Sequence, residues 1–274
     1  MPGSVPVGVR PSSVAIGEGA VWVANLDDRT MSRIDPATRT VVGNVTLQAT
    51  PTGLAAGYGS VWIANGLLGT VSRFDPGVNT VSATIPDIAL RSSSGSIDAT
   101  GGAVWFASGI GTFARIAPSQ NKVVGNGIAG FSPSGIAFGG GFVWIANQGA
   151  NKVSQANPRT MGVVGQVSVG QRPSGIAVGD GAVWVTNEAD DTVTRIDISS
   201  GSTRTIPVGD GPTGVAFGAG AVWVANSGDG TVSRIDPATY SVAAKIEVGS
   251  RPSGVAVGSG TVWVTVQAPL QTGT

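Results

Sequence analysis

The tryptophans of this chain recur at an almost constant interval, and this feature limits the possible folds more than any other. The successive separations are 40, 43, 39, 40, 39 and 40 residues. A repeat of this length is typical of solenoids and propellers, in which one small structural unit is copied along the chain. The tryptophans are Trp22, Trp62, Trp105, Trp144, Trp184, Trp223 and Trp263.

Each copy of the repeat predicts four short strands. In the copy that begins at Pro212 the strands are expected at Gly214–Phe217, Ala221–Ala225, Thr231–Ile235 and Ser241–Val248. These runs are rich in Val, Ile, Thr and Trp, and clusters of Gly, Pro, Asn or Asp separate them. The 43 glycines among 274 residues suit many tight turns. The repeat therefore predicts a four-stranded antiparallel sheet, with the Trp stripe packed between neighbouring sheets.

The two ends of the chain favour a ring over a linear array. Residues Ser4–Gly8 match the expected fourth strand at Thr205–Gly209, whereas the last copy supplies only two strands, near Val255 and Val264. A ring can close by joining its two ends, while a linear array needs polar caps. We therefore expect an all-β fold, a seven-bladed β-propeller of four-stranded antiparallel blades, closed by an N-terminal strand that joins the C-terminal blade.

The same pattern predicts one propeller domain over residues 1–274. Its last blade is expected to consist of residues 4–8 and 252–274, with a third strand reduced to a stub at Gln271–Thr274, as in a domain cut from a longer chain. We expect a monomer. The unpaired edge of the unfinished blade is then the predicted site of any dimerisation.

The segment Val222–Gly249 resembles the YVTN-type propeller repeats of bacteria and, more broadly, the virginiamycin B lyase-like propellers. It reads VWVANSGDGTVSRIDPATYSVAAKIEVG, and similar sequence repeats cover essentially the whole chain. The lyase resemblance implies an elimination reaction that uses a magnesium ion and acid/base residues, including histidine. Because the chain has no His, that catalytic part is not carried over, and neither an enzyme nor a cofactor is expected.

Related repeats also resemble the extracellular parts of bacterial multidomain proteins, where they sense or act as scaffolds. The resemblance thus implies an extracellular or periplasmic domain of a larger bacterial protein. Acidic and basic residues balance at 16 each, which argues against nucleic acid as a partner. No apolar run is long enough to span a membrane as a helix.

Two repeated polar patterns are candidate sites. In the first, an Arg in the expected third strand is followed two residues later by an Asp, as in Arg33 and Asp35 or Arg234 and Asp236. Residues two apart on a strand share a face. The pattern fits either an anion site or structural pairing, and its recurrence in most copies favours the structural interpretation.

In the second pattern, a hydroxyl follows the Pro that opens each inner strand, and propeller geometry places these hydroxyls near one mouth of the channel. Such a ring fits either a bound polar ligand or local turn capping. No neighbouring base is available to make one a nucleophile, so no catalytic residue is assigned. The hydroxyls belong to Ser12, Thr52, Ser134, Ser174, Thr213 and Ser253.

Loop charges are expected at the same mouth. The connections before the inner strands carry arginines, and the loops after the Trp strands carry aspartates such as Asp28, Asp190 and Asp229. These charges are either binding groups or solvated loop residues. The acidic loops are too short for a calcium cage, so no metal site is predicted. The predicted ligand-binding set is Arg10, Arg91, Arg172, Arg251, Ser134, Ser174 and Ser253, with Arg91 in an insert of the third copy.

The sequence leaves three functions open. The leading hypothesis is a non-catalytic binding module, sensor or scaffold that recognises a peptide, protein or cell-envelope ligand through its loop face. The first alternative is a lyase-like or hydrolytic enzyme that uses carboxylates and a divalent ion. The second is a purely structural ring, amplified or engineered from one repeat.

Overall fold

The computed structural model describes residues 3–86 and 95–267, and within these ranges the regular structure is almost entirely β. The strands are β1 (Pro11–Gly17), β2 (Ala20–Asn25), β3 (Thr30–Asp35), β4 (Thr40–Thr46), β5 (Gly53–Gly57), β6 (Ser60–Asn65), β7 (Thr70–Asp75), β8 (Thr80–Ile85), β9 (Gly95–Asp98), β10 (Val104–Ser108), β11 (Thr112–Ala117), β12 (Lys122–Ile128), β13 (Pro133–Gly139), β14 (Phe142–Asn147), β15 (Lys152–Ala156), β16 (Val163–Ser168), β17 (Pro173–Gly179), β18 (Ala182–Asn187), β19 (Thr192–Asp197), β20 (Thr203–Pro207), β21 (Pro212–Gly218), β22 (Ala221–Asn226), β23 (Thr231–Asp236), β24 (Ser241–Glu247), β25 (Val255–Gly258) and β26 (Thr261–Val264). One turn of 3-10 helix, Gly66–Leu68, follows β6. No helix in the described ranges is long and apolar enough to cross a membrane.

The strands form antiparallel sheets in chain order. Blades 1 to 6 are the four-stranded sheets β1–β4, β5–β8, β9–β12, β13–β16, β17–β20 and β21–β24, and β25 pairs with β26 in a two-stranded piece. The expected strands of the copy at Pro212 agree with β21–β24 within two residues at each end. The expectation of seven four-stranded blades is wrong, because the described chain forms six such blades and one two-stranded piece.

Within residues 3–86 and 95–267 no third strand pairs with β26, and this explains the difference. In a complete blade the fourth strand pairs with the third, so it needs the third strand as its hydrogen-bonding partner. The stub predicted at Gln271–Thr274 lies outside the described residues. Residues 4–8 are accordingly not a strand, although Val5 and Val7 pack with Val21 and Val23 on the face of blade 1.

The inner strands form the ring and close it. Each inner strand neighbours the next, and β25 lies against both β21 and β1. Side-chain hydroxyls reinforce this path, since the Ser253 hydroxyl donates to the carbonyls of Pro11 and Ser12 at 3.5 and 3.4 Å. Closure therefore depends on the innermost strands, and the predicted N-terminal strand does not provide it.

The tryptophans pack in the interfaces between blades, as the apolar residues on both sides of each Trp predict. Trp62, in blade 2, forms one buried cluster with Val104 and Phe106 of blade 3. Burial of an indole removes about 150–250 Å² from water, which is worth about 4–6 kcal/mol before entropy losses. The repeated interface is therefore the main apolar core of the ring.

A repeated arginine lies against five of the seven indoles, those of Trp22, Trp62, Trp105, Trp184 and Trp223. Arg33 pairs across the strands with Trp22, its guanidinium carbon lies 5.2 Å from the ring centroid, and its Nη1 donates to Pro76 O of the next blade. The Arg-x-Asp pattern is thus structural, but the arginine contacts the Trp ring and a carbonyl of the next blade rather than the Asp of the pattern. Among the described ion pairs, Arg195 with Asp197 at 3.1 Å is the one that joins the two residues of the pattern.

Candidate functional site: the loop face of the ring

One face of the ring carries two sets of connections that touch each other. The segment that leads into each inner strand accepts backbone hydrogen bonds from the loop after the Trp strand, as in Leu26 N to Arg10 O at 3.1 Å and Gln148 N to Ser132 O at 2.9 Å. Both predicted sets of loops therefore lie on the same side. We call this side the loop face.

A buried asparagine at the end of the Trp strand anchors most of these loops. In blade 1, Asn25 Nδ2 donates to Thr30 Oγ1 at 2.9 Å and to Ser32 Oγ at 3.0 Å. The same contacts recur at Asn65, Asn187 and Asn226. Because the amide bridges the second and third strands, the loop between them is held rigidly.

In blades 1, 5 and 6 an aspartate joins the two sets of loops. Asp28 Oδ2 accepts the Val9 N–H at 2.6 Å, and Asp190 Oδ2 accepts the Gln171 N–H at the same distance. In blade 6 the Asp229 carboxylate accepts a hydrogen bond from the Asp210 N–H and forms an ion pair with Lys245. We call these three residues the latch aspartates, since each connects the loop of its blade to the preceding connection.

The latch aspartates require a glycine beside them. A Cβ at Gly170 would lie 2.6 Å from Asp190 Oδ2, and a Cβ at Gly209 would lie 2.5 Å from Asp229 Oδ2. Such distances are shorter than atoms of this type tolerate. Glycine at this position therefore lets the carboxylate reach the backbone.

Three of the four predicted arginines, Arg10, Arg172 and Arg251, lie on the loop face, and no described contact brings them together. Arg10 pairs with Asp27 at 3.1 Å and Arg172 with Glu188 at 3.4 Å, each within its own blade, while Arg251 is exposed. Arg91 lies outside the described residues. Arg10, Arg172 and Arg251 have φ values of 54, 53 and 45°, a left-handed conformation in which blade 6 has Gly211.

Four of the six predicted hydroxyls, those of Ser134, Ser174, Thr213 and Ser253, bond to the next inner strand, whereas Thr52 bonds within its own blade and Ser12 Oγ has no partner. Ser134 Oγ donates to Pro173 O at 2.6 Å, and Ser174 Oγ donates to Pro212 O at 3.0 Å. Ser253 makes the corresponding bond to Pro11. These hydroxyls therefore have partners in the next blade, and a small cavity of about 230 Å³ lies at the channel beside Ser134 and Ser174.

The described loops of blades 2 to 4 differ from those of blades 1, 5 and 6. At the latch position blade 2 has Leu68 and blade 4 has Ala150, while the shorter loop of blade 3 presents Ile110. The described residues 66–69, 109–111, 129–132 and 148–151 contain no charged side chain. We call these loops the apolar half of the loop face, and the loops of blades 1, 5 and 6 the charged half.

Exposed apolar side chains are concentrated where blades 3 and 4 meet. Ile128 is 77% exposed, Phe131 is 71% exposed and Ile110 is 43% exposed. Backbone contacts place them side by side, because Gly111 O accepts the N–H of Ala129 at 2.8 Å. Soluble proteins rarely expose several large apolar side chains together without a partner.

The Phe131 ring is supported from below. Gly149 N donates to Phe131 O at 3.2 Å, and a Cβ at Gly149 would collide with the ring. Gly149 thus lets the ring lie over the loop of blade 4. This contact fixes the phenyl ring while leaving most of its surface in solvent.

Asp98 is a half-buried carboxyl that was not among the predicted site residues. It follows Ile97 on the inner strand of blade 3, where the other inner strands have Ala, as at Ala137 and Ala177. Burial raises the pKa of Asp98, although hydrogen bonds from Thr100 Oγ1 and the Phe138 N–H act in the opposite direction. An alignment of the copies reveals Asp98, because an acidic residue stands where the other copies have Ala.

The described residues contain no group of three or more Asp, Glu, His or Cys side chains placed to hold a metal ion. The latch aspartates are instead each engaged by a backbone N–H. The chemistry that the described loop face offers is therefore apolar contact in one half and paired charges in the other.

Comparisons with known proteins identify the fold. No protein-family model matches the sequence, and no curated protein sequence matches it either. Among solved structures, a streptogramin B lyase is similar with a TM-score of 0.82, 15% identity, and coverage of 93% of this chain and 90% of that chain. Virginiamycin B lyase from Staphylococcus aureus is similar with a TM-score of 0.81, 18% identity, and coverage of 93% and 91%.

Structures with other functions are also similar. Hydrazine synthase from Kuenenia stuttgartiensis gives a TM-score of 0.77 at 16% identity, with 98% of this chain and 99% of that chain covered. A chain of a mitotic checkpoint complex gives 0.82 at 12% identity, with 93% and 83% covered. The chain thus has a virginiamycin B lyase-like propeller fold, and at these identities the likeness shows the fold alone.

Proposed function

We propose that this propeller is a non-catalytic binding module that recognises a protein or peptide segment through the apolar half of its loop face. The observation that carries the proposal is the exposed cluster of Ile110, Ile128 and Phe131. Large apolar and aromatic side chains dominate the energetics of protein interfaces, where they fill pockets on the partner. The preferred ligand is accordingly a segment that presents apolar side chains.

The rigidity of the cluster supports the same function. Loops on a fixed scaffold are the usual place for recognition in folds of this kind. Phe131 lies against Gly149, and backbone hydrogen bonds hold its segment to the loop of blade 4. A fixed aromatic ring loses little conformational entropy when a partner covers it, so little of the contact energy is lost on binding.

The alternative enzymatic functions have weaker support. The hydroxyls of Ser134, Ser174 and Ser253 donate to backbone carbonyls, which is a structural use of these groups. The latch aspartates accept backbone N–H groups in the loops, which explains their recurrence without an enzymatic role. The same binding function covers a role as sensor or scaffold and a cell-envelope component as the ligand.

The test is selection of binders from a random peptide library displayed on phage, followed by affinity measurements on synthetic peptides. Phe131→Ser is the test variant. The control is Val164→Ser, because Val164 is 59% exposed on outer strand β16, away from the loops. Loss of a central aromatic contact costs about 2 kcal/mol or more, so Phe131→Ser is expected to weaken binding about 30-fold.

The control variant is expected to bind the selected peptides with unchanged affinity. Two results would contradict the proposal. One is the absence of any peptide that binds saturably, and the other is a set of peptides whose affinity is the same for Phe131→Ser and for the unmodified chain. Circular dichroism of both variants checks that the fold is retained.

A further inference from the structure

Acidic side chains are concentrated in the loops of blades 5 and 6. The connections into the inner strands and the loops after the Trp strands contain five acids and one base there, over residues 169–172, 188–191, 208–211 and 227–230. The corresponding loops of blade 1 contain two acids and two bases. We call the loops of blades 5 and 6 the acidic sector. Its charged residues are Glu188, Asp190, Asp191, Asp210, Asp229 and Arg172.

Three carboxylates of the acidic sector, those of Asp190, Asp191 and Asp210, belong to exposed residues. Asp190 Oδ2 accepts the Gln171 N–H at 2.6 Å, and Asp191 Oδ1 accepts the Gly211 N–H at 2.9 Å. Each of these carboxylates keeps its negative charge and a second oxygen. None of the ion pairs among the described residues includes Asp210. The sector therefore presents acceptors to cations from another molecule.

Basic side chains offset only part of this charge. Arg172 pairs with Glu188 at 3.4 Å, and Lys245 on outer strand β24 pairs with Asp229 at 2.6 Å. An excess of negative charge persists when the neighbouring residues are added, because six acids then face four bases. The added residues are Lys152, Lys245, Glu247 and Arg251.

The acidic sector adjoins the exposed apolar cluster. Phe131 lies over Gly149 in the loop of blade 4, and Asn151 in the same loop accepts the Arg172 N–H with its Oδ1 at 3.0 Å. Arg172 O in turn accepts the Glu188 N–H at 3.1 Å. A continuous series of contacts thus leads from the phenyl ring to the first acid of blade 5.

We propose that the loop face recognises a basic, amphipathic peptide segment in an extended conformation, with an apolar or aromatic side chain on Phe131 and Lys or Arg side chains on the acidic sector. This inference rests on the proposed function and specifies its ligand. Opposite charges across an interface raise the association rate and disfavour partners of the wrong charge. Contact with Phe131 supplies affinity, and the acidic sector selects among apolar segments.

The repeat gives the spacing of these side chains along the peptide. Phe131, Gln171 and Asp210 occupy equivalent positions, each two residues before the Pro that opens the inner strand. Packed sheets lie about 10 Å apart and an extended chain advances about 3.1–3.3 Å per residue, so one blade corresponds to about three residues. In a polyproline II segment, with three residues per turn, positions i, i+3 and i+6 share one face. We therefore expect basic residues about three and about six positions from the apolar residue.

The first experiment sequences the peptides that the unmodified chain selects from the random phage library. We expect Lys and Arg to be enriched about threefold over the library at the third and sixth positions from an apolar or aromatic residue, and Asp and Glu to be depleted. A bound helix would instead place the basic residues about seven positions apart, because it rises about 1.5 Å per residue. That spacing, or no charge preference, would overturn the proposal.

Charge reversal on the chain tests the acidic sector directly. Asp210→Lys is the test variant, because Asp210 is exposed and loses no ion pair. The matched control is Asp180→Lys, in the exposed β17–β18 hairpin at the opposite end of blade 5, where other blades have Glu18 and Tyr58 in the same left-handed conformation. We expect Asp210→Lys to weaken binding of a selected basic peptide about tenfold and Asp180→Lys to leave it unchanged.

A charge swap separates direct pairing from a general loss of binding. Replacing the basic residue at the sixth position of the peptide by Glu should weaken binding to the unmodified chain about tenfold, and most of this loss should be regained on Asp210→Lys. Raising NaCl from about 0.05 to about 0.5 M should weaken the basic peptide about fivefold, but a peptide with Gln at the basic positions less than about twofold.

The outcomes distinguish this inference from the proposed function. Absence of any saturable peptide, or equal binding by Phe131→Ser and the unmodified chain, would overturn both. Binding that depends on Phe131 but not on basic peptide residues, or that has the same affinity for Asp210→Lys, would overturn this inference alone. Thermal unfolding of Asp210→Lys and Asp180→Lys checks that both variants keep the fold.

Discussion

The two halves of the loop face use the same scaffold positions in opposite ways. In the charged half, Asp28, Asp190 and Asp229 accept a backbone N–H of the preceding connection. In the apolar half the same position is Leu68 or Ala150. One half therefore uses its loop side chains for internal hydrogen bonds, whereas the other presents apolar surface to solvent.

This difference separates residues that stabilise the ring from residues available for recognition. A polar side chain that makes the same short hydrogen bond in several blades is explained by the fold, and it is already engaged in that bond. Phe131 and Ile128 are exposed by 71% and 77% and are not explained by packing. The repeat thus serves as an internal reference, because departures from it mark the surface that the scaffold does not need.

The largest expected effect is the loss of a latch in the charged half. Asp229→Ala removes the ion pair with Lys245 and the hydrogen bonds from Thr231 and from the Asp210 N–H. We expect the free energy of unfolding to fall by about 2 kcal/mol in chemical denaturation. An unchanged midpoint would show that the latch contributes nothing and would remove this distinction between the halves.

Asp229 also predicts the acid response of the charged half. Burial acts to raise the pKa of Asp229, but the hydrogen bond from Lys245 and those from Thr231 and Asp210 lower it below the ordinary 3.8. A lowered folded-state pKa stabilises the fold above the unfolded value, and this stabilisation is lost as the pH falls below 3.8. Unfolding measured against pH should therefore be less acid-sensitive in Asp229→Asn than in the unmodified chain.

Asp98, in blade 3, predicts the opposite dependence. Its folded-state pKa is raised by burial, so the ionised form destabilises the fold increasingly as the pH rises above the ordinary 3.8. Asp98→Asn keeps an oxygen acceptor for Thr100 and the Phe138 N–H. We expect it to raise stability at neutral pH, by about 1.4 kcal/mol for each unit by which the folded-state pKa of Asp98 exceeds the unfolded-state value. Lower stability of the variant at pH 7 would contradict this.

A smaller effect is expected when a latch is installed in the apolar half. Ala150→Asp places a carboxylate at the position that Asp190 occupies in blade 5, where it can accept the Phe131 N–H. We expect a gain of about 0.5–1 kcal/mol in the free energy of unfolding, measured by denaturant titration. A loss of stability would indicate that the loop of blade 4 does not tolerate the geometry of the charged half.

The smallest effect concerns a predicted ligand-binding arginine. Arg251 has a φ of 45°, a conformation that costs a non-glycine residue about 1 kcal/mol, and blade 6 has Gly211 at the same position. Arg251→Gly should leave stability unchanged or raise it by about 0.5 kcal/mol, because glycine also loses more chain entropy on folding. A clear loss in thermal unfolding would show that the Arg251 side chain stabilises the ring.

Much of the fold could be predicted from the repeat. A local sequence motif that recurs with a fixed period was enough to predict three features. These are the strands of the copy at Pro212, the Trp interfaces between blades, and the position of both loop sets on one face. The strand predicted at Ser4–Gly8 was wrong, because a strand exists only where a partner strand pairs with it. Sequence similarity to Thr205–Gly209 gives no information about that partner.

The candidate site was less predictable. The hydroxyls of Ser134, Ser174 and Ser253 follow the opening proline in the sequence, but their acceptors in the next blade are long-range contacts. The exposure of Phe131 depends on how Gly149 lies beneath the ring, and the burial of Asp98 depends on the neighbouring inner strand. None of these relations is encoded in the spacing of the repeat.

The sequence by itself determined the repeated unit, because strand alternation, turn glycines and the Trp stripe act within a window of about forty residues. Only the tertiary structure decided how many sheets are complete, which polar side chains are already engaged, and where apolar groups stay in solvent. These outcomes depend on contacts between blades and between the two ends of the chain. The physical reason is that hydrogen bonding and burial depend on which two surfaces meet. The repeat describes each surface but not the surface that packs against it.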